Sequence, residues 1–257
     1  MNQEQRRKYL IERLLDEQPR YRGVEISDVV SEQKYLLRSL MNIRMPGKIS
    51  CEFLKVQDEY LQEANREKGI VSLDDMQEIQ RDIFIFKGDI TRLKVGAIVN
   101  AANSGMTGCY RPCHNCIDNC IHTYAGVQLR NYCNTIMKKQ GYEEPTGQAK
   151  ITPAFNLPCD YVIHTVGPIV QGELTVGHEK DLASCYRSCL EVAEEIGVDS
   201  IAFCCISTGV FMFPNRRAAE IATETVKHFK QETNSKIKVI FNVFKDEDEG
   251  IYRELLG

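Results

Sequence analysis

The sequence predicts an α/β fold: a mostly parallel sheet covered by helices on both faces, preceded by a helical extension. Three observations carry this expectation. From about residue 81, short apolar runs rich in Ile, Val and Phe alternate with longer stretches of helical spacing, as strand–helix–strand units do. Residues 1 to about 80 show helical spacing with long charged stretches. A length of 257 residues, 43% of them hydrophobic and 26% charged, suits one large α/β domain plus an extension better than two full domains.

Along the extension, Leu10, Ile11, Leu14 and Leu15 recur at helical spacing, as do Leu36, Leu37, Leu40 and Met41. Pro46-Gly47 breaks the pattern, and a further helix-compatible stretch covers residues 49–68. No catalytic cluster lies there, so residues 1–80 read as an extension packed on a domain of residues 81–257. In that domain residues 82–86 and 96–100 read as strands, and 115–139 as a helix. A turn at 141–147 leads to strands at 148–153 and 161–166. Residues 179–196 read as a helix, 200–206 as a strand, 215–232 as a helix, 237–244 as the last strand and 248–256 as a short closing helix. No internal repeat or low-complexity segment interrupts them.

Charge narrows the function. Lys and Arg number 32 against 36 Asp and Glu, and a net charge of -4 gives no electrostatic footprint for wrapping nucleic acid. The first residues are charged and lack the apolar core of a signal peptide. No window approaches the ~18 apolar residues of a membrane-spanning helix. A cytoplasmic protein is the simplest expectation. Its 11 cysteines then read as reduced thiols rather than a disulfide framework. Cys204 and Cys205 fall in an apolar strand-like run, and Cys185 and Cys189 lie four apart on a helical pattern, as buried thiols acting as small hydrophobes do. His164 reads as a satisfied core group in a strand, and His178 and His228 as surface positions.

Four segments that follow apolar runs look chemical, where parallel sheets gather their ligands. In Gly88-Asp89-Ile90-Thr91 a carboxylate after glycine can accept from an exocyclic amine such as that of adenine, or simply cap a turn. In Asn100-Ala101-Ala102-Asn103 two amides flank two small residues, which suits sugar hydroxyls or an Asn-stabilised turn equally. In Ser207-Thr208-Gly209-Val210-Phe211, small residues between a strand and a helix let backbone N–H groups approach a pyrophosphate. Phe211 could stack on a sugar or base, or belong to the core. No Gly-Lys-Ser/Thr follows, and no G-x-G-x-x-G with a downstream acid is present, so neither a Walker loop nor a dinucleotide fingerprint is supported.

The fourth segment, residues 108–122, holds Cys109, Cys113, Cys116 and Cys120 with His114 and His122. Three protein ligands with one open position mark a catalytic zinc site. Cys109, His114 and Cys116 can fold round one ion, with Cys113 as the rival ligand; adjacent side chains in extended chain point oppositely, so Cys113 and His114 compete. A closed four-ligand structural site is the lesser alternative. Cys116 and Cys120 are one helical turn apart, so Cys120 and His122 are expected on the helix rather than in the site. The run Pro112-Cys113-His114-Asn115-Cys116 matches half of a zinc deaminase signature, but no histidine precedes His114 to supply the other half. A thioredoxin-type dithiol at Cys113 and Cys116 would open a helix directly after a strand, which this Cys/His-rich loop does not, and it remains a weak alternative.

Together these segments resemble the macrodomain family, the ADP-ribose-binding three-layer α/β/α fold with a mixed, mostly parallel sheet. The resemblance covers about residue 81 to the C-terminus. IFIFKGDIT, GAIVNAAN and CCISTGVFMFP stand in the family's order, and residues 117–122 resemble the V-D-x-A-I-H stretch of its ADP-ribosyl hydrolases. The usual glycine-rich loop before that stretch is replaced by Cys109-YRPCHNC, which looks like the zinc-containing macrodomains of microbial pathogens. Those resemble protein-ADP-ribose hydrolases linked to sirtuin-class ADP-ribosyltransferases and a lipoylated carrier protein.

The resemblance implies that Asp89 and the Ile90 backbone contact adenine, and that Ser207, Thr208, Gly209, Val210 and Phe211 embrace the diphosphate and distal ribose. Asn103, expected as a catalytic residue together with Asp118, would hold ribose hydroxyls beside Cys116 and Ile117. Asp118 takes the position of the catalytic aspartate, and zinc ligation falls on Cys109, His114 and Cys116. The expected activity is zinc-dependent removal of mono-ADP-ribose from modified protein, with an Asp- or Glu-linked ester as substrate. The alternatives are a non-catalytic ADP-ribose reader and an O-acetyl-ADP-ribose deacetylase.

Overall fold

A computed structural model of the chain describes residues 1–21 and 23–257. The extension forms three helices, α1 (Gln3–Asp16), α2 (Val30–Ile43) and α3 (Cys51–Lys68). Asn2 opens α1 with a capping box to Gln5, and the Ser50 hydroxyl caps α3 by accepting from Phe53 N, satisfying N–H groups that a helix start leaves orphaned. Leu10, Ile11, Leu37, Phe53 and Leu61 close a core of their own, joined by Val127 from the main domain. Leu10 and Ile11 are fully buried, so truncating either to Ala costs about 2–5 kcal/mol.

Beyond α3 run short strands β1 (Val71–Ser72) and β2 (Glu78–Gln80), then β3 (Ile83–Lys87), β4 (Leu93–Lys94) and β5 (Ala97–Ala102). Helices α4 (Ile117–Ala125) and α5 (Val127–Gln140) follow, then β6 (Ala149–Pro153), β7 (Tyr161–Val166) and α6 (Val176–Glu195). The chain ends with β8 (Ser200–Phe203), α7 (Asn215–Thr233), β9 (Lys238–Val243) and α8 (Asp246–Leu256). Seven strands form one sheet in the order β2-β3-β9-β8-β5-β7-β6. The two edge pairings are antiparallel and the inner ones parallel, the mixed, mostly parallel sheet the sequence predicts. Helices α6, α7 and α8 pack on one another over one part of the sheet; α4 and α5 pack together against β5 and β6, with α2 and α3 outside α4. Ile98, Val99, Ile163, Ile201 and Ile240 are fully buried, and strands covered on both faces read as continuous apolar runs. With β3, β9, β8, β5 and β7 parallel, their carboxyl ends open on one side, where the chemical segments lie.

Several elements differ from the sequence expectation: short strands β1 and β2 lie within residues 71–80, read as part of the helical extension, and β2 pairs with β3 in the main sheet. The helix expected over 115–139 is two helices, broken at Gly126, whose φ is +95°. A Cβ there would meet Gln128 Oε1 at 2.5 Å and the Gln57 amide nitrogen at 2.6 Å, and Gln57 Oε1 accepts from Val127 N at 3.0 Å where α5 opens. Strand β8 stops at Phe203 rather than running to 206, because Cys204 and Cys205 already belong to the turn towards Ser207. The last strand likewise ends at Val243, which leaves Phe244 outside the sheet.

Candidate active site

Register on β5 and β7 builds the centre of the site. Asn100 pairs with His164 across the two strands, so the two side chains meet on one face. Asn100 Nδ2 lies 3.1 Å from His164 Nδ1 and donates at 2.9 Å to Asp118 Oδ1. Burial pushes His164 down to about 3, so its ring is neutral, with Nε2 against Thr152 Oγ1 at 2.9 Å. At the other end of the Asn-Ala-Ala-Asn run, Asn103 Nδ2 donates to Asp118 Oδ2 at 3.3 Å and to the Gly108 carbonyl at 3.3 Å. Both amides therefore converge on one carboxylate.

Asp118 sits in the first turn of α4 and is buried. Burial pushes its carboxyl up to about 6, against the downward pull of Asn100, Arg130 and Asn103. Such a group sits close to neutral pH, where it can take or return a proton. His122, one helical turn on, is on α4 as expected, yet it also touches the site: its Nε2 stands 3.6 Å from Asp118 Oδ1. Burial holds the His122 ring neutral, well below its ordinary range, and among the described residues neither of its ring nitrogens has a hydrogen-bond partner. Gly108 lets that ring in, since a Cβ there would meet it at 2.7 Å.

The ligand atoms of Cys109, His114 and Cys116 all lie within 4.8 Å of one another. Cys109 Sγ is 3.6 Å from His114 Nδ1. Tetrahedral zinc with ordinary Zn–S and Zn–N bonds separates such a pair by about 3.6 Å, so the residues fit the ion. Burial, with Cys109 and Asp118 nearby, pushes the Cys116 thiol up to about 12. A dication reverses that penalty, because a coordinating thiol is held deprotonated. Cys113 turns the other way: its Sγ is 3.2 Å from Ser39 Oγ and 3.5 Å from the Tyr35 carbonyl. A second group, His122, Cys133 and His164, is fully buried, and both nitrogens of His164 are already engaged.

Helix α2 shapes this loop, a role invisible in the extension's sequence. Tyr35, Arg38, Ser39 and Asn42 occupy one face at helical spacing. Arg38 Nη2 donates to the His114 carbonyl at 2.8 Å and to Asn119 Oδ1 at 2.9 Å, and Asn42 Oδ1 accepts from Cys113 N at 2.9 Å. Arg130 ties the end of α2 to the loop, donating to the Arg44 carbonyl at 2.8 Å and the Thr107 carbonyl at 2.7 Å.

The turn of residues 207–213 lies between β8 and α7. Ser207 adopts a φ of +64°, a conformation a non-glycine residue holds only when its surroundings enforce it. The turn is closed by Phe213 N donating to the Ser207 carbonyl at 3.0 Å and Met212 N to the Gly209 carbonyl at 3.0 Å. Among the described residues no acceptor pairs the N–H groups of Gly209, Val210 and Phe211, which suits an anion. Val210 is 69% exposed and Phe211 half-buried.

At the far end, Ile90 is buried and Asp89 is half-buried; its Oδ1 accepts from Thr91 N at 3.0 Å and Thr91 Oγ1 at 2.6 Å. Beside this turn Gly88 N donates to the Val243 carbonyl, and the next residue, Phe244, is 76% exposed. In the sequence Phe244 reads as the end of a strand; its place just past the strand's carboxyl end is what leaves the ring exposed.

The Macro domain pattern matches residues 99–222. A Treponema medium protein named protein-ADP-ribose hydrolase is 60% identical over the whole of both chains. Among solved structures, an Oceanobacillus iheyensis macrodomain with ADP has a TM-score of 0.63 and 37% identity, covering 70% of this chain and 93% of that one. A Trypanosoma brucei macrodomain in complex with ADP-ribose has a TM-score of 0.67 and 25% identity, covering 90% and 97%. With the Macro domain match and the full-length likeness to the Treponema protein in agreement, the chain belongs to the Macro domain family.

Proposed function

We propose that the chain is a protein-ADP-ribose hydrolase that depends on zinc and releases mono-ADP-ribose from an ester on an Asp or Glu side chain of its substrate. The observation that carries this reading is the buried Asp118 carboxylate, held by Asn100 and Asn103 two residues from Cys116 of the Cys109-His114-Cys116 group. The Treponema relative's name and the ADP-ribose in the Trypanosoma structure support the substrate class.

The free N–H groups of residues 209–211 would take the diphosphate and fix the distal ribose, so that remote binding serves the reacting end. Phe244 and Asp89 flank the place for the base. Asn103, the exposed amide of the site, holds a ribose hydroxyl, and Asp118 accepts a proton from the attacking water or that hydroxyl. Water adds, the ester bond to the sugar breaks, and ADP-ribose and a free carboxylic acid leave. Zinc on Cys109, His114 and Cys116 would supply a Lewis-acid contact that orients ribose oxygens, the favoured role because two thiolates leave the ion nearly neutral.

A reader without catalysis would use the same loops, and release of ADP-ribose from a modified protein separates the two readings. Hydrolysis of O-acetyl-ADP-ribose would draw on the same ester chemistry. By resemblance alone the modified partner is a lipoylated carrier protein, and the free thiols suit the reducing cytoplasm. His114→Ala and Cys116→Ala variants test the reading: each should lose bound zinc and ADP-ribose release while staying folded. Wild-type release by a metal-free variant would overturn it.

A further inference from the structure

The carboxylate assigned above to the base is not held by its own domain alone. Lys68, the last residue of α3 in the helical extension, places Nζ 2.7 Å from Asp89 Oδ2 and 2.8 Å from Thr91 Oγ1. The same ammonium lies 3.3 Å from the centre of the Tyr124 ring on α4. Its three N–H directions are thus committed to a carboxylate, a hydroxyl and an aromatic face, and none is left for a ligand. Asp89 Oδ1 is meanwhile filled by Thr91 N and Thr91 Oγ1. What remains of this carboxylate is one free lone pair on Oδ2, fixed in direction by Lys68.

We propose that Lys68 is a positioning residue for base specificity, holding Asp89 as a pure acceptor so that the site takes a purine with a 6-amino group and rejects a 6-oxo purine. The proposal rests on the reading of Asp89 as the base contact. A 6-amino group donates to the free lone pair, whereas a 6-oxo group sets acceptor against acceptor. Burial alone would raise the Asp89 carboxyl, and the Lys68 hydrogen bond and charge, with Thr91, outweigh it and keep the group ionised. Without Lys68, Thr91 still holds Oδ1, but Oδ2 loses the cation that fixes its direction and favours its ionised, accepting form.

The test is calorimetric binding of ADP-ribose and of its inosine counterpart, hypoxanthine replacing adenine, to the full-length chain and to Lys68→Met, Lys68→Arg and Asp89→Ala. The wild type should prefer ADP-ribose by about tenfold or more, the scale of one mispaired charge-assisted hydrogen bond. Lys68→Met should shrink that preference below about threefold while the inosine ligand binds within about twofold of wild type. Lys68→Arg, which keeps the charge, should restore most of the preference. If Lys68→Met keeps the full preference while Asp89→Ala loses it, the role of Lys68 falls and the reading of Asp89 stands. Equal weakening of both ligands by Lys68→Met, with an unchanged melting temperature, makes Lys68 a scaffold residue only and overturns the proposal. No adenine preference in the wild type removes the reading of Asp89 and the proposal with it.

Discussion

Replacing Asp118 by Asn should make the protein more stable and nearly inactive. The carboxyl rises from 3.8 to about 6 on folding, chiefly through burial. At 1.36 kcal/mol per unit, the folded state of metal-free protein pays about 3 kcal/mol at pH 7.5 for holding that charge, and about 1.5 kcal/mol at pH 5. The folded pKa lies above the unfolded one, so the penalty is absent below about pH 4 and complete above about pH 7. Wild-type stability therefore falls through that window as pH rises. The Asn side chain never ionises, but its single oxygen cannot accept from both Asn100 and Asn103, which returns about 1 kcal/mol. The net gain should be about 2 kcal/mol at pH 7.5 and about 0.5 kcal/mol at pH 5. Urea unfolding of chelator-treated protein at the two pH values measures it; chelation matters because a nearby cation would favour the ionised carboxylate. Release of ADP-ribose by the zinc-loaded variant should fall by about 10²–10⁴-fold, the range of a lost general base, with ADP-ribose affinity within about tenfold. A variant less stable than wild type at pH 7.5, or one that keeps hydrolysis within about tenfold, would refute the reasoning.

Three further substitutions separate the parts of the site. Gly167→Ala drives a Cβ into Ser207 Oγ and to 2.8 Å from Ile206 Cγ2, so the 207–213 turn must move; ADP-ribose affinity should drop by about tenfold in calorimetry, with about 1–3 kcal/mol of stability lost. Arg38→Met removes the bonds to the His114 carbonyl and Asn119, and should raise the zinc dissociation constant about tenfold in competition with a chromophoric chelator. An unchanged constant would show that α2 does not organise the loop. Cys113→Ser should leave zinc stoichiometry intact and Cys116→Ser should reduce it, by elemental analysis; the reverse result would exchange the two ligand assignments.

What could be read in the sequence was local. Strand–helix alternation depends on neighbours in the chain, so the core strands stood out, and Cys109, His114 and Cys116 drew attention because eight residues hold all three. The break at Gly126 had its signal in a glycine inside a helical pattern, but the contact that caps the new helix, Gln57 Oε1 accepting from Val127 N, is brought from the extension. The convergence of Asn100 and His164 depends on strand register between β5 and β7, which no residue pattern states. Arg38 and Lys68 were opaque for the same reason. They sit among the charged residues of helices that read as packing, and only tertiary contact turns one towards the Cys/His loop and the other towards Asp89. His122 looked like a helix residue and is one, yet its position one turn after Asp118 also lays it against the carboxylate.

One assay bears most directly on the proposed chemistry: release of ADP-ribose from a protein modified on Asp or Glu side chains, followed before chelation, after chelation and after zinc is restored. Release should stop on chelation and return with zinc, while ADP-ribose binding persists throughout. Undiminished release by demonstrably metal-free protein would contradict a catalytic role for the Cys109-His114-Cys116 group.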